Sequence, residues 1–386
     1  MHFDASGQLN CALIVHVDDF MAVYSTSFPI AKLEAMFEWG SITKITEYQP
    51  GVYRGKEITL KRHGGKLQYY ITQKKFIEGT TAGKLPPGRL QQDSELSTAE
   101  MSDFRSAVGS LQWLSGQTRP DLAAASSLCQ KGSKTEISDL NKVYECIKHA
   151  RETPDFGIGF PSVPFNQNSV ILIYSDASWA NASNLTSQFG VLVTICPPQV
   201  TERTCNAFLV DWKSGRTQRV CRSTLAAEAY SADEGADRGS FVNYFITEIF
   251  HQIPAYKGVM KMNMKQAVDA KSLFDCLVAE NPSTSEKRSL IAIRSVQQSL
   301  GRKDVHWVPT QIMQADGLTK LDPKLRALLM QWCSAPWCQL REEALSRKST
   351  TEKTERAIAS TSNKDQCEDL TCKPVKRSRD VDTFIA

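Results

Sequence analysis

Six carboxylates stand where their spacing and surroundings suggest chemistry, and that chemistry is metal-assisted work on a phosphodiester. Asp176 follows the apolar run ILIYS, so it is expected at the end of a strand and not in its buried face. Glu228 falls in the first turn of a long helix, flanked by STLAA and AYSA, where small residues let a helix approach a sheet closely. Asp269 ends a further strand, and Asp316 falls in a short helix after the last one. Singly, each has an ordinary reading as a turn aspartate or as an acid favourably placed near a helix N-terminus. Four carboxylates delivered to one sheet edge would instead repel one another unless divalent cations neutralise them. Oxygen-only donors of this kind suit two Mg2+ ions about 4 Å apart, with Mn2+ as the alternative. One ion would activate a water; the other would stabilise the leaving 3′ oxygen. The remaining pair, Asp18 and Asp19, sits between two apolar runs in ALIVHVDDFMAVY and is expected at an acidic turn joining two buried strands. Asp233, Glu234 and Asp237, further along the Glu228 helix, read as a solvated face.

The elements that must position these acids follow from periodicity and punctuation. Residues 28–38 read as a helix, and residues 51–78 hold short strands. Residues 83–98, with two prolines and two glycines, read as a linker. Helices follow over 100–116, over 120–131 with Pro120 at a helix start, and over 137–151. The pattern then changes to strands at 169–175, 189–196 and 206–212. A helix capped by Ser223 covers 224–250, followed by a strand (258–268), helices (270–279 and 286–300), a strand (304–310) and a short helix (312–321). The order β-β-β-α-β-α-β-α predicts a mixed sheet with helices packed on it. Beyond about residue 345, Ser, Thr, Lys and Glu dominate and a disordered tail is expected.

Several segments, in this order, resemble a known family: IYSDASWA (173–180), DWKSGRTQ (211–218), RSTLAAEAY (222–230), NPSTSEKR (281–288) and DVHWVPTQIMQADGLTK (304–320). They are similar to the RNase H region of Ty1/copia-type retrotransposon Pol polyproteins. DFRSAVGSLQWLSGQTRPDL (103–122) resembles the junction preceding that region, and the likeness runs from about residue 12 to 322. It implies an α/β fold with an RNase H-like mixed five-stranded sheet and flanking helices, preceded by a partial reverse-transcriptase palm and a helical thumb or connection. The implied division is 1–82 palm remnant, 83–165 thumb or connection, 166–322 RNase H, and 323–386 C-terminal helix and disordered tail. Position by position, the family's metal-binding acids fall on Asp176, Glu228, Asp269 and Asp316. Asp18 and Asp19 match the V-D-D turn that helps hold the polymerase metals. The implied activity is Mg2+-dependent hydrolysis of the RNA strand of an RNA–DNA hybrid, selected by shape and 2′-OH contacts. The implied partners are that hybrid and the polymerase and integrase parts of a polyprotein. Polymerase chemistry also needs an acid from an earlier palm strand and the fingers, so no DNA synthesis is expected from this chain, which primer extension on poly-rA checks. In many cellular relatives a histidine lies in the loop that here reads Pro309-Thr310-Gln311-Ile312; His306 falls within the strand and reads as structural.

Composition leaves room for this reading without demanding it. The 386 residues suffice for two or three domains, and 41% apolar and 23% charged residues are ordinary for a soluble protein. The formal charge of +4 permits a nucleic-acid partner through a local basic patch. Arg89, Arg105, Arg119, Lys131 and Lys134 are candidates for phosphate contacts, and the run from Lys373 to Arg379 for nuclear import or nucleic-acid contact. The 11 cysteines are scattered; Cys333/Cys338 and Cys367/Cys372 repeat a C-x4-C spacing with no histidine cluster nearby, so free thiols in a reducing compartment are expected. No run approaches the roughly 20 apolar residues of a membrane span, and an intracellular location, cytoplasmic or nuclear, is expected. A second functional reading stands beside the first: a decayed or co-opted retroelement piece that binds nucleic acid without cutting it.

Overall fold

The computed structural model describes residues 1–340, apart from 64, 82, 93, 131–134, 167 and 183–184, and then residues 381–385. The predicted C-terminal tail, the basic run and the Cys367/Cys372 pair fall almost wholly outside the described residues.

The chain opens with strands β1 (His2–Phe3), β2 (Leu9–His16) and β3 (Asp19–Ser25), then helix α1 (Ile30–Glu34) and strand β4 (Thr43–Ile45). Strands β5 (Gly51–Tyr53), β6 (Lys56–His63) and β7 (Lys66–Thr72) follow, with α2 (Lys74–Gly79). Strands β2 and β3 form a hairpin in which His16 faces Asp19, with Val17 and Asp18 at the turn. The expected turn is present, but its strands are not buried as expected. Cys11, Ala22 and Tyr24 pack against Phe28, Ile30 and Leu33, and Phe20 against Phe37 and Trp39, while Ile14, Val15 and Val17 near the turn are 49%, 54% and 79% exposed.

Three helices come next: α3 (Thr98–Ser115), α4 (Ala123–Leu128) and α5 (Ile137–Glu152). Ser97 accepts a hydrogen bond from the Glu100 N–H while Glu100 reaches back to Ser97, a capping box that starts α3. Pro120 opens a single 3-10 turn that leads into α4. Leu111, Leu114, Leu122, Ile137, Leu140 and Val143 make the core between these helices. Strand β8 (Ile158–Phe160) then pairs antiparallel with β7, so the helical segment begins and ends at one sheet.

The second half is the sheet that matters for function. It comprises β9 (Val170–Ser178), β10 (Gln188–Cys196), the short β11 (Cys205–Asn206), β12 (Phe208–Arg216), helix α6 (Thr224–His251), β13 (Asn263–Val268), helices α7 (Lys271–Val278) and α8 (Lys287–Leu300), and β14 (Val305–Trp307). The strand order is β12-β10-β9-β13-β14; the first three strands are antiparallel, and β13 runs parallel to both β9 and β14. This is the mixed five-stranded, helix-flanked, RNase H-like sheet that the sequence led us to expect. Helix α9 (Pro323–Ser334) and strand β15 (Trp337–Cys338) follow, β15 pairing with β11; a final strand β16 (Val381–Ile385) lies between β3 and β4.

Alternate residues of β9 go to opposite faces. Val170, Leu172 and Tyr174 pack with Leu318, Leu329 and Trp332, while Ile171 and Ile173 pack with Val242 and Ile246 of α6. Burial on both faces is why this strand reads as an unbroken apolar run and not as an alternation. Among the described residues no helix is long and apolar enough to cross a membrane.

Candidate metal centre

Four elements bring the four predicted acids of the second half to one end of the sheet. Asp176 is not past the end of its strand, as the sequence suggested. It lies within β9, opposite Gly190 of β10, and is only 3% exposed. Burial is tolerable there because Thr319 Oγ1 donates to Asp176 Oδ2 at 2.6 Å. The strand itself is tied to α6, since Ser231 Oγ donates to the Asp176 carbonyl at 2.7 Å.

Glu228 comes from α6, one turn further in than expected, since the helix starts at Thr224. Ser223 caps that helix as predicted, accepting a hydrogen bond from the Ala226 N–H at 3.1 Å. Alanines 226, 227, 229, 232 and 236 and glycines 235 and 239 are all buried; the two glycines lie against Ile173 of β9, and alanines 226, 229, 232 and 236 share a core with Leu273 of α7 and Ile293 and Val296 of α8. A Cβ at Gly235 would lie 3.0 Å from Ile173 Cγ2 and 3.1 Å from Gln266 Nε2, so the two layers are already in contact. Gln266 of β13 stitches them together by donating to Ser175 Oγ at 2.9 Å and to the Ala232 carbonyl at 3.0 Å.

Asp269 follows β13 directly. Its Oδ2 accepts from Thr310 Oγ1 at 2.9 Å and its carbonyl from Trp307 Nε1 at 2.9 Å. Asp316 belongs to a 3-10 turn, Gln314–Leu318, and is 6% exposed. That turn is held by its carbonyls: Ser214 Oγ donates to Leu318 O at 2.5 Å, and Asn181 Nδ2 to Thr319 O at 2.8 Å. It also needs Gly190, because a Cβ there would lie 2.7 Å from Leu318 Cβ and 2.9 Å from both the Ala315 carbonyl and Thr319 Cγ2. The residue facing Asp176 across the sheet is therefore a glycine so that the Asp316 turn can lie on it.

One oxygen from each of Asp176, Glu228 and Asp269 lies within 4.8 Å of the other two. Their electrostatics follow from that crowding. Burial, then the Asp316 and Asp269 carboxylates, push the Asp176 carboxyl up to about 8. Burial and the neighbouring Asp176 and Asp269 raise Glu228 well above the usual range, and burial raises Asp269 despite its Thr310 hydrogen bond. Carboxyls that resist ionisation side by side are a donor set short of positive charge, and an all-oxygen set of this kind fits hard divalent cations such as Mg2+. Asp316 adds a fourth, buried acid, and Lys320 Nζ hydrogen-bonds to its Oδ1.

The other sequence candidates fare differently. Asp18 and Asp19 are both exposed at the hairpin turn, and no third acid joins them in a metal-sized group among the described residues. Arg119 is no phosphate contact. It is fully buried, paired through Nε and Nη2 with Asp121 at 2.9 Å and stacked over Phe156 at 4.9 Å. Arg89 is engaged by Glu100, whose carboxyl it helps hold near 2. Arg105 is exposed, while Lys131 and Lys134 fall outside the described residues. His306 lies in β14, its Nε2 3.4 Å from Lys265 Nζ. Sequence reasoning missed Gly190, Ser231, Thr310, Thr319 and Lys320. Only the last two carried a signal, the TK that follows Asp316 in ADGLTK.

No family model matches the chain. It is 27% identical over 228 residues to the uncharacterized mitochondrial protein AtMg00810 of Arabidopsis thaliana, over 56% of this chain and 88% of that protein. Among solved structures, the chain is 12% identical to the N-terminal RNase H domain of Rv2228c from Mycobacterium tuberculosis, solved as a fusion with maltose-binding protein. That likeness has a TM-score of 0.28 and covers 42% of this chain and 98% of that one. RNase H1 of the halophilic archaeon Halobacterium salinarum is 11% identical, with a TM-score of 0.26, over 39% of this chain and 94% of that one. Likenesses this low carry no weight. The strand order carries the fold, and the chemistry rests on the side chains themselves.

Proposed function

We propose that the chain is a retroelement-derived, Mg2+-dependent RNase H that hydrolyses the RNA strand of RNA–DNA hybrids, with Asp176, Glu228, Asp269 and Asp316 holding the metal. The observation that carries the reading is the convergence of three carboxylate oxygens from β9, α6 and the end of β13 within 4.8 Å. When bound, the divalent ions supply an activated water and charge neutralisation at the leaving oxygen. The chain's own side chains do the rest by position. Thr319 and Thr310 each hold one oxygen, Oδ2, of Asp176 and of Asp269, leaving each carboxylate its other oxygen for a ligand. Ser231 and Gln266 lock α6, and with it Glu228, to the strand that bears Asp176. The motif order from IYSDASWA to ADGLTK supports the hybrid as substrate, read through its shape and 2′-OH groups.

Cleavage of a labelled RNA–DNA hybrid by the full chain in Mg2+, beside Asp176→Asn, tests this. Cutting confined to the RNA strand and lost in the variant is the expected result. A folded protein that binds the hybrid and leaves it intact would favour a co-opted nucleic-acid-binding protein instead.

A further inference from the structure

The acidic centre has a cation of its own. Lys320 is four residues after Asp316, and its ammonium hydrogen-bonds to Asp316 Oδ1. The same ammonium acts on Asp176, Glu228 and Asp269, drawing each carboxyl downward against the burial that raises it. In return, burial that would lower Lys320 is outweighed by its Asp316 hydrogen bond and by the charges of Asp176, Asp316 and Asp269.

The geometry is lopsided in a telling way. The Asp316 side chain is 8% exposed, but that of Lys320 is 41% exposed. The carboxylate is fixed in the wall, whereas the ammonium ends a flexible four-carbon stem that opens to solvent. Thr319, between them, spends its hydroxyl on Asp176. Five consecutive residues thus supply an acid, the hydroxyl that orients a second acid, and a movable positive charge.

We propose that the Lys320 ammonium is the resident counter-cation of the centre: it holds Asp316 in the metal-free protein, gives it up to an incoming divalent ion, and thereby sets the centre's metal affinity. This rests on the metal-centre reading above and goes beyond it by assigning a residue that competes with the metal. Lys320 is in these terms a positioning residue, not a catalytic one. An arginine in its place, with a planar fork suited to a carboxylate, would hold Asp316 more firmly and compete harder.

The test is calorimetric titration of Mn2+ and of Mg2+ into the full chain, together with the melting temperature in EDTA. It compares the parent with Lys320→Met, Lys320→Gln and Lys320→Arg. Both neutral variants are expected to bind Mn2+ roughly three- to tenfold more tightly, the scale of one partly solvated ion pair. They are also expected to melt lower without metal, and Lys320→Arg to bind metal more weakly than the parent. Unchanged or weaker metal binding by the neutral variants, with a parent that binds normally, overturns the counter-cation role alone. Unchanged metal binding with reduced affinity for the hybrid would also overturn it, and would assign Lys320 to the substrate phosphate. A parent that binds neither ion would overturn the metal centre itself. Lys320→Arg keeps the charge and serves as the folded comparison should a neutral variant unfold.

Discussion

The hairpin turn at Asp18–Asp19 and the end of the central strand at Asp176 begin from the same local recipe, an apolar run followed by acid. They end as different chemical objects. At the hairpin two adjacent carboxylates are exposed, and no other acid converges on them among the described residues. At the end of the five-stranded sheet, acids separated by up to 140 positions come from four elements, and burial and mutual crowding push Asp176, Glu228 and Asp269 toward the protonated state. Adjacency in sequence made no site; burial and convergence did. Such a convergence of acids depends on packing: the small residues of α6, Gly190 beneath the Asp316 turn, and the hydroxyls that hold two of the carboxylates.

The contrast can be broken most directly at its two poles. Asp176→Asn is expected to lower hybrid cutting by at least about 10^3-fold, since it removes a donor on which charge stabilisation depends. Asp18→Asn and Asp19→Asn should leave cutting within about twofold; a comparable loss there, in a gel assay on the labelled hybrid, would end the distinction.

Arg119 sharpens the comparison from the side of stability. Arg119→Met leaves Asp121 buried without its main partner and is expected to cost about 3–5 kcal/mol in urea unfolding. A small stability loss accompanied by weaker hybrid binding would return Arg119 to the phosphate contacts.

Gly190→Ala comes next. The added methyl meets a backbone carbonyl and two side chains, so the Asp316 turn must move, at about 1–3 kcal/mol. Metal affinity should fall as well, and a normal titration in this variant would mean the turn does not depend on that close approach.

The metal-free protein should also show a pH dependence of definite sign. Asp176 titrates near 8 in the folded chain against an ordinary value of 3.8, and burial moves Glu228 and Asp269 the same way. A folded pKa above the unfolded one means the native state binds the proton more tightly. That stabilisation is complete below about pH 4 and is lost as pH rises toward 8. Melting temperature in EDTA should therefore decline over that window, and less so in Asp176→Asn. A rising curve would show that the acids are not crowded as described. The smallest effect is expected from Thr319→Val, which frees Asp176 Oδ2 from its hydroxyl and should weaken metal binding about tenfold.

Much of this was legible in the sequence, for identifiable reasons. The strands of the second half announce themselves as apolar runs, Ser223 marks the start of α6, and the order of elements specifies a mixed sheet. Asp176 was misplaced because hydrophobicity ends at Ser175, whereas the hydrogen-bonded ladder continues through Asp-Ala-Ser to Ser178. Pattern reading sees side chains, and the ladder is made by backbone. Arg119 was misread because a guanidinium looks the same in sequence whether it meets a phosphate or a buried Asp121. The burial of the hairpin was overestimated because apolar character records a tendency to be covered and says nothing of what is available to do so. The roles of Gly190, Thr310 and Thr319 depend on contacts across long sequence separations, to which no local window has access.

Leu329, Trp332 and Leu340 pack in the same core as Leu172 and Tyr174 of β9. This has a temporal consequence. During synthesis, at roughly 5–20 residues per second, β9 is made on the order of ten seconds before the residues that cover it. Through that interval one face of β9 lacks part of its native cover. That face of the sheet can therefore finish packing only once α9 has been made.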